Sequence, residues 1–101
     1  PSCRAYDPAF AYEMAILVHD GIQRMYRDGE DVFYYLTLYN ENYPMPAMPE
    51  GVEPEVVAQG VVDGLYRWKA APEGLAHPAT ILFSGSAAPA AQAAAGPHEA
   101  P

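Results

Sequence analysis

The residues of this chain whose types could do chemistry are few and stand apart. His19 lies beside Asp20, a pairing that elsewhere serves as an acid–base group. No nucleophile or second ligand accompanies it in sequence, so it reads as a histidine in or beside a packed helix face. Glu41 sits between Asn40 and Asn42 just past a strand-like run, the place where open α/β sheets hold ligands. A carboxylate there could bind a cation or a polar substrate group. Flanking asparagines are also ordinary turn residues that satisfy backbone groups, and that structural reading is preferred. Tyr34, Tyr35, Tyr39 and Tyr43 could form a stacking platform, but sheet core and domain contact suit so acidic a chain better. Met45 and Met48 read as packing residues. Ser84-Gly85-Ser86 after an apolar run has the outline of a phosphate-cradling turn without the longer glycine pattern or the lysine, so Ser86 is expected to start a helix as its N-cap. Cys3 is the single cysteine, and it and the dispersed His19, His77 and His98 do not make a metal-ligand spacing. No residue is therefore assigned a catalytic, cofactor-binding or metal role.

The elements that would position these residues follow from periodicity. Asp7-Pro8 has the form of a helix start, with Asp7 capping and Pro8 in the first position. Phe10, Met14, Leu17, Val18, Ile22, Met25 and Tyr26 recur at helical spacing, Tyr12 and Ile16 widen the stripe, and Asp28-Gly29 supplies the stop. Asp20 and Arg24 form an i,i+4 pair. Gly21 inside this helix costs about 1 kcal/mol against alanine, which points to a close backbone contact there. Residues 32–39 read as a strand apolar on both faces, the mark of a parallel sheet covered on both sides. The run from Tyr39 to Gly51 holds three prolines in six residues, Pro44, Pro46 and Pro49, which forbid helix and interrupt any ladder, so it is a stiff, extended connection. Glu53-Pro54 opens a second, weaker helix through Val56, Val57, Val61 and Val62, interrupted at Gly60. Residues 64–69 and 79–83 read as short strands, and from Ala87 the chain is alanine-rich, low in complexity and expected to be disordered.

Composition sets the outer bounds. At 101 residues there is room for one small domain. A formal charge of -8, with only five Lys and Arg and no basic stripe, argues against nucleic acid and anionic membrane surfaces. No signal peptide is visible and the longest apolar run is too short for a bilayer, so the expected setting is cytoplasmic. A strand buried on both faces needs neighbours on both edges and helices above and below. The other two strand candidates lie beyond the connector, and an isolated pair is marginal. The chain thus reads as a piece of a larger α/β protein: 1–43 the end of one domain, 44–63 a connector, 64–86 the start of another, and 87–101 a tail.

Specific words of the sequence carry a family likeness. They are Pro1-Ser2-Cys3-Arg4-Ala5-Tyr6-Asp7-Pro8-Ala9-Phe10-Ala11-Tyr12-Glu13, Val18-His19-Asp20-Gly21, Arg24-Met25-Tyr26, Val32-Phe33-Tyr34-Tyr35-Leu36-Thr37 and Asn40-Glu41-Asn42-Tyr43-Pro44-Met45-Pro46-Ala47-Met48-Pro49-Glu50-Gly51, with weaker matches at Gly64-Leu65-Tyr66 and Ser84-Gly85-Ser86. Over roughly the first 86 residues the chain resembles the first, decarboxylating component of the bacterial pyruvate dehydrogenase complex, homodimeric type. The resemblance implies a transketolase-like thiamine-enzyme fold of three α/β domains, with residues 1–43 closing the pyrimidine-binding domain and 64–86 opening the C-terminal one. It implies oxidative decarboxylation of pyruvate on thiamine diphosphate with magnesium, and acetylation of a lipoyl group. The implied partners are a second subunit and the dihydrolipoyl acetyltransferase and dihydrolipoyl dehydrogenase components.

The departures are as informative. The Gly-Asp-Gly motif with a following Asn, which in that family grips diphosphate and magnesium, does not occur in this chain. The family's activating acid and active-site histidines would lie upstream of Pro1, so none is carried onto a position here, and Pro44, where relatives can have histidine, receives no role. After Ser86 the family continues with a leucine-rich helix, whereas this chain turns to alanine and proline. Truncation or a shifted reading frame is the expectation this raises. Two other readings stand beside it: a fragment of another transketolase-type thiamine enzyme, and a small acidic interaction module without catalysis that uses the proline-methionine loop as its contact.

Overall fold

The computed structural model describes residues 2–71 and 73–99, with side chains up to residue 95. Its centre is a parallel β–α–β unit. Strand β1 (Cys3–Tyr6) leads to helix α1 (Ala11–Ile22), which ends in a π-helical turn (Gln23–Arg27). The chain stops at Asp28-Gly29, with Gly29 in the left-handed region, and returns as strand β2 (Phe33–Leu36). The two strands pair from Cys3 opposite Phe33 to Tyr6 opposite Leu36. Helix α2 (Pro54–Asp63) and helix α3 (Ala88–Glu99) complete the regular structure.

Several expectations need correction. Helix α1 starts at Ala11, four residues after Asp7, because Glu13 reaches back to accept the Ala9 N–H at 2.7 Å and the Phe10 N–H at 3.4 Å. That bond caps the helix, which leaves Asp7 free for other partners. Strand β1 was not foreseen: Cys3-Arg4-Ala5-Tyr6 has no β-branched residue, and it is a strand because β2 offers it a ladder. The expected strands at 64–69 and 79–83 do not form, since no described neighbour presents an edge to either. Tyr66, Trp68 and Phe83 turn inward, while Leu65 and Leu82 stay exposed. Gly60 does not interrupt α2. A Cβ there would lie 2.5 Å from Tyr66 Cβ, so glycine lets the chain double back against its own helix once Gly64 has capped it at φ 100°. The expected close contact at Gly21 is with the Tyr34 ring, not backbone. The turn before α3 is capped at Ser84, not Ser86, and the alanine stretch expected to be disordered is helical, as alanine's high propensity permits, with Pro89 harmless in the first turn.

The core has two parts. Leu17 of α1 packs on Val57 and Val61 of α2, bordered by Tyr6, Leu36 and Met48. Phe10 and Ala9 pack on Ala88 at the start of α3, with Trp68 and Phe83 around them. The Phe10–Trp68 and Trp68–Phe83 ring centroids are 5.4 and 5.9 Å apart, within the range of favourable aromatic pairs. Strand β2 is covered on one face only. Tyr34 and Leu36 face the helices, while Phe33 and Tyr35 are 54% and 62% exposed. The opposite face, apolar by sequence, has no cover among the described residues. Residues 37–53 form no helix or strand.

Candidate functional site

The carboxyl ends of β1 and β2 lie on one side of the sheet, and the best-placed polar side chains gather there. Asp7 follows β1 directly. Its Oδ1 accepts the Thr37 hydroxyl at 2.5 Å and the Tyr39 phenol at 2.5 Å, and its Oδ2 accepts the Ser84 hydroxyl at 2.6 Å. Burial would raise the Asp7 pKa, but the hydroxyls of Ser84, Thr37 and Tyr39 outweigh it and hold the carboxyl below its ordinary value. Tyr43 donates to the Ala9 carbonyl.

A second carboxylate, Glu13, is buried one turn into α1. Besides the two N–H groups at the helix start, it accepts the Tyr66 phenol, which is also bonded to the Tyr12 hydroxyl. Burial, then the bonds to Glu13 and Tyr12, push the Tyr66 pKa far above the phenol range. Burial likewise raises Tyr12. Asp7 and Glu13 border one open trough between β1, α2 and the segment 64–84. Both carboxylates are occupied by donors from this chain, so the arrangement binds segment to segment; neither is poised as a free base.

Beside them is a groove of about 320 Å³ lined by Pro8, Phe10, Met14, Tyr39, Glu41 and Tyr43 among others. Glu41 is exposed at this groove, as its place after the strand suggested. His19 is exposed on α1, so it is not in a packed face. Met48 borders the core as expected, whereas Met45 is 51% exposed. Cys3 is exposed on β1. Among the described residues no group of three or more His, Cys, Asp or Glu could hold a metal ion. Asp7 and Glu13 are both taken up by donors of this chain, so no chemical step is assigned to them. The no-membrane expectation has one structural counterpart: no helix among the described residues is long and apolar enough to cross a membrane.

The two acidic hubs were missed by sequence reading. Asp7 was spent on a helix cap. Glu13 had a legible signal, since it sits three residues after Phe10 and four before Leu17, an acid within the apolar stripe. The Asp20–Arg24 pair is present at 3.5 Å, and Asp20 also accepts the Tyr34 phenol. Burial first, then the bond and charge of Asp20, push the Tyr34 pKa up to about 12. A raised phenol favours folding while protonated, so this contribution is complete below the ordinary value of 10.0 and is lost as pH rises through about 12. Phenolate absorbance should show a late component near pH 12, distinct from the still later Tyr66, and Asp20→Asn should bring that component back toward the ordinary range. An unchanged late component in D20N would remove Tyr34 as its source.

Residues 1–46 match the family described as pyruvate dehydrogenase E1 component middle domain. The pyruvate dehydrogenase E1 component of Escherichia coli (strain K12) is 48% identical over 87 residues, covering 85% of this chain and 9% of that protein. The proteins of the same name from Mycolicibacterium smegmatis and Mycobacterium tuberculosis are 50% and 49% identical over 96 residues, 94% of this chain and 10% of each. The chain therefore spans about a tenth of the length of these relatives. An alignment taking in 94% of 101 residues leaves out about six, so it runs well into 87–101. The Escherichia coli match, over 87 residues, has the expected extent, and the two longer alignments carry the likeness into the alanine-rich stretch.

Proposed function

The chain carries a stretch of pyruvate dehydrogenase E1 component sequence, and from that premise we propose that it is part of an enzyme that oxidatively decarboxylates pyruvate. The observation that carries this reading is identity near one half over 85% to 94% of the chain to proteins of that name. In this reading the whole protein works on thiamine diphosphate with magnesium and passes the acetyl group to the lipoyl group of a dihydrolipoyl acetyltransferase. A dihydrolipoyl dehydrogenase completes the set, and the enzyme is a cytoplasmic homodimer of transketolase-like fold. Residues 1–43 end its middle domain, 44–63 are the proline-rich connector, 64–86 open the next domain and 87–101 follow it. The match of 1–46 to a middle-domain family supports the first of these boundaries. The bare face of β2, with Phe33 and Tyr35 exposed, supports a larger sheet and counts against a self-sufficient interaction module.

The contribution of this segment is architectural: it holds two parallel strand ends and the segments that follow them in place, and by itself it is inactive. Calorimetric titration of the 101-residue chain with thiamine diphosphate and magnesium tests the division of labour. No saturable heat is expected, because the diphosphate grip is not among these residues. Saturable binding would show that the cofactor site had been misplaced. Coding sequence upstream of Pro1 tests the parent: a long extension carrying the Gly-Asp-Gly motif is expected, and an upstream region without it would overturn the assignment.

A further inference from the structure

A turn from the far end of the sequence is bonded across the carboxyl ends of the sheet. Ser84 donates to Asp7 Oδ2 at 2.6 Å, and the Gly85 N–H donates to the Asp7 carbonyl at 3.1 Å. The other carboxylate oxygen is held by Thr37 and Tyr39, which follow β2. Thr37 also ties back to β1, its N–H donating to the Tyr6 carbonyl at 3.2 Å. Gly85 is buried with φ 53°, and a Cβ there would stand 2.6 Å from Asp7 Oδ1 and 2.5 Å from the Tyr39 ring. This approach admits only glycine. The turn runs straight into α3, whose first residue, Ala88, is fully buried against the Phe10 cluster.

From this geometry we infer that Asp7 is a positioning residue: its carboxylate joins the ends of both parallel strands to the Ser84–Gly85 turn, and so fixes where that turn and α3 lie across the sheet. Three hydroxyl donors converge on one carboxylate, from two stretches of chain that lie 30 to 77 residues from it in sequence. Charge-assisted bonds of this kind are about twice as strong as neutral ones. Without them the turn keeps the Gly85 N–H bond to Asp7, a long bond from the Tyr43 hydroxyl to the Gly85 carbonyl at 3.4 Å and the small alanine contact. The strand ends it lies across are where open α/β sheets take ligands, so the placement bears on access to them. The inference goes beyond the enzymatic reading and does not depend on it.

Amide hydrogen exchange on the 101-residue chain, with D7N, S84A and the double variant, tests it. In D7N and in S84A the amides of residues 85–95 should exchange about tenfold faster, the size expected for losing a hydrogen bond to a charged group, while α1 and α2 keep their rates. The double variant should exchange no faster there than D7N, because the two side chains act through one bond. In D7N the Tyr39 phenol, held above its ordinary value first by its bond to Asp7, should titrate lower, a shift that general loosening elsewhere does not produce. Unchanged exchange at 85–95 in D7N would overturn the inference. So would equal acceleration in α1 and α2, or a wild-type chain whose 85–95 amides are unprotected.

Discussion

Leu17→Ala should lower the stability of the α1–α2 packing by about 2–5 kcal/mol. Leu17 is 1% exposed, the most fully sealed large side chain among the described residues. It stands on α1 opposite Val57 and Val61, which lie one turn apart on α2, and Tyr6 and Leu36 from the two strands border the same cluster. Truncation removes the transfer energy of the side chain and leaves a hole that two helices and a two-stranded sheet cannot all close upon. Neither helix is long, and isolated helices of this length are marginal in water, so their persistence rests on this contact. The urea concentration at which half the helical circular dichroism is lost should fall by about 1–2.5 M for a slope near 2 kcal/mol/M. Leu38→Ala is the control: Leu38 is 77% exposed and its loss should stay within about 0.5 kcal/mol. If the two variants were indistinguishable, α1 and α2 would not be packed through Leu17.

How much of this was legible depended on whether the signal was local. The α1 stripe, its stop at Asp28-Gly29 and the Glu53-Pro54 start of α2 are written in spacing and caps, and they appear where the sequence placed them. Helix α1 begins late because a side chain three residues inside it supplies the cap, which Asp-Pro alone does not reveal. Strands behaved differently, because a strand is completed by its partner. Residues 64–69 and 79–83 have the composition of strands and no edge to join, whereas Cys3–Tyr6 lacks that composition and has one. The doubly apolar run 32–39 asked for cover on both faces; residues 33–36 of it form the strand, and Phe33 and Tyr35 stand uncovered among the described residues. In the candidate site, Glu41 was read as following the strand, and it lies at the groove five residues beyond Leu36, the last residue of β2. The hubs at Asp7 and Glu13 depend on contacts from Tyr66 and Ser84, more than fifty residues away, which no local pattern encodes.

Glu13→Ala should cost about 2–4 kcal/mol, nearly as much as emptying the core, for a different reason. The carboxylate is 8% exposed and accepts the Ala9 and Phe10 N–H groups on one oxygen and the Tyr66 phenol on the other. Alanine leaves the first backbone donors of α1 without an acceptor and strips Tyr66 of the partner that draws it inward. Tyr66 cannot easily move away, since its Cβ is seated where Gly60 has none. Glu13→Gln keeps an acceptor for the helix start and should recover about half of the loss; Tyr66→Phe removes the donor and leaves the cap. If the contact is a unit, E13Q and Y66F together should cost less than the sum of their separate effects, with a coupling of about 1 kcal/mol or more. The Tyr66 phenol offers an independent check, because its late titration comes first from burial and then from Glu13 and Tyr12. In E13Q it should ionise earlier, while the Tyr34 component near pH 12 stays in place. Strict additivity of the two substitutions, with an unmoved Tyr66 titration, would mean that Glu13 caps α1 alone and that the segment after α2 is held by Trp68 and Phe83 instead.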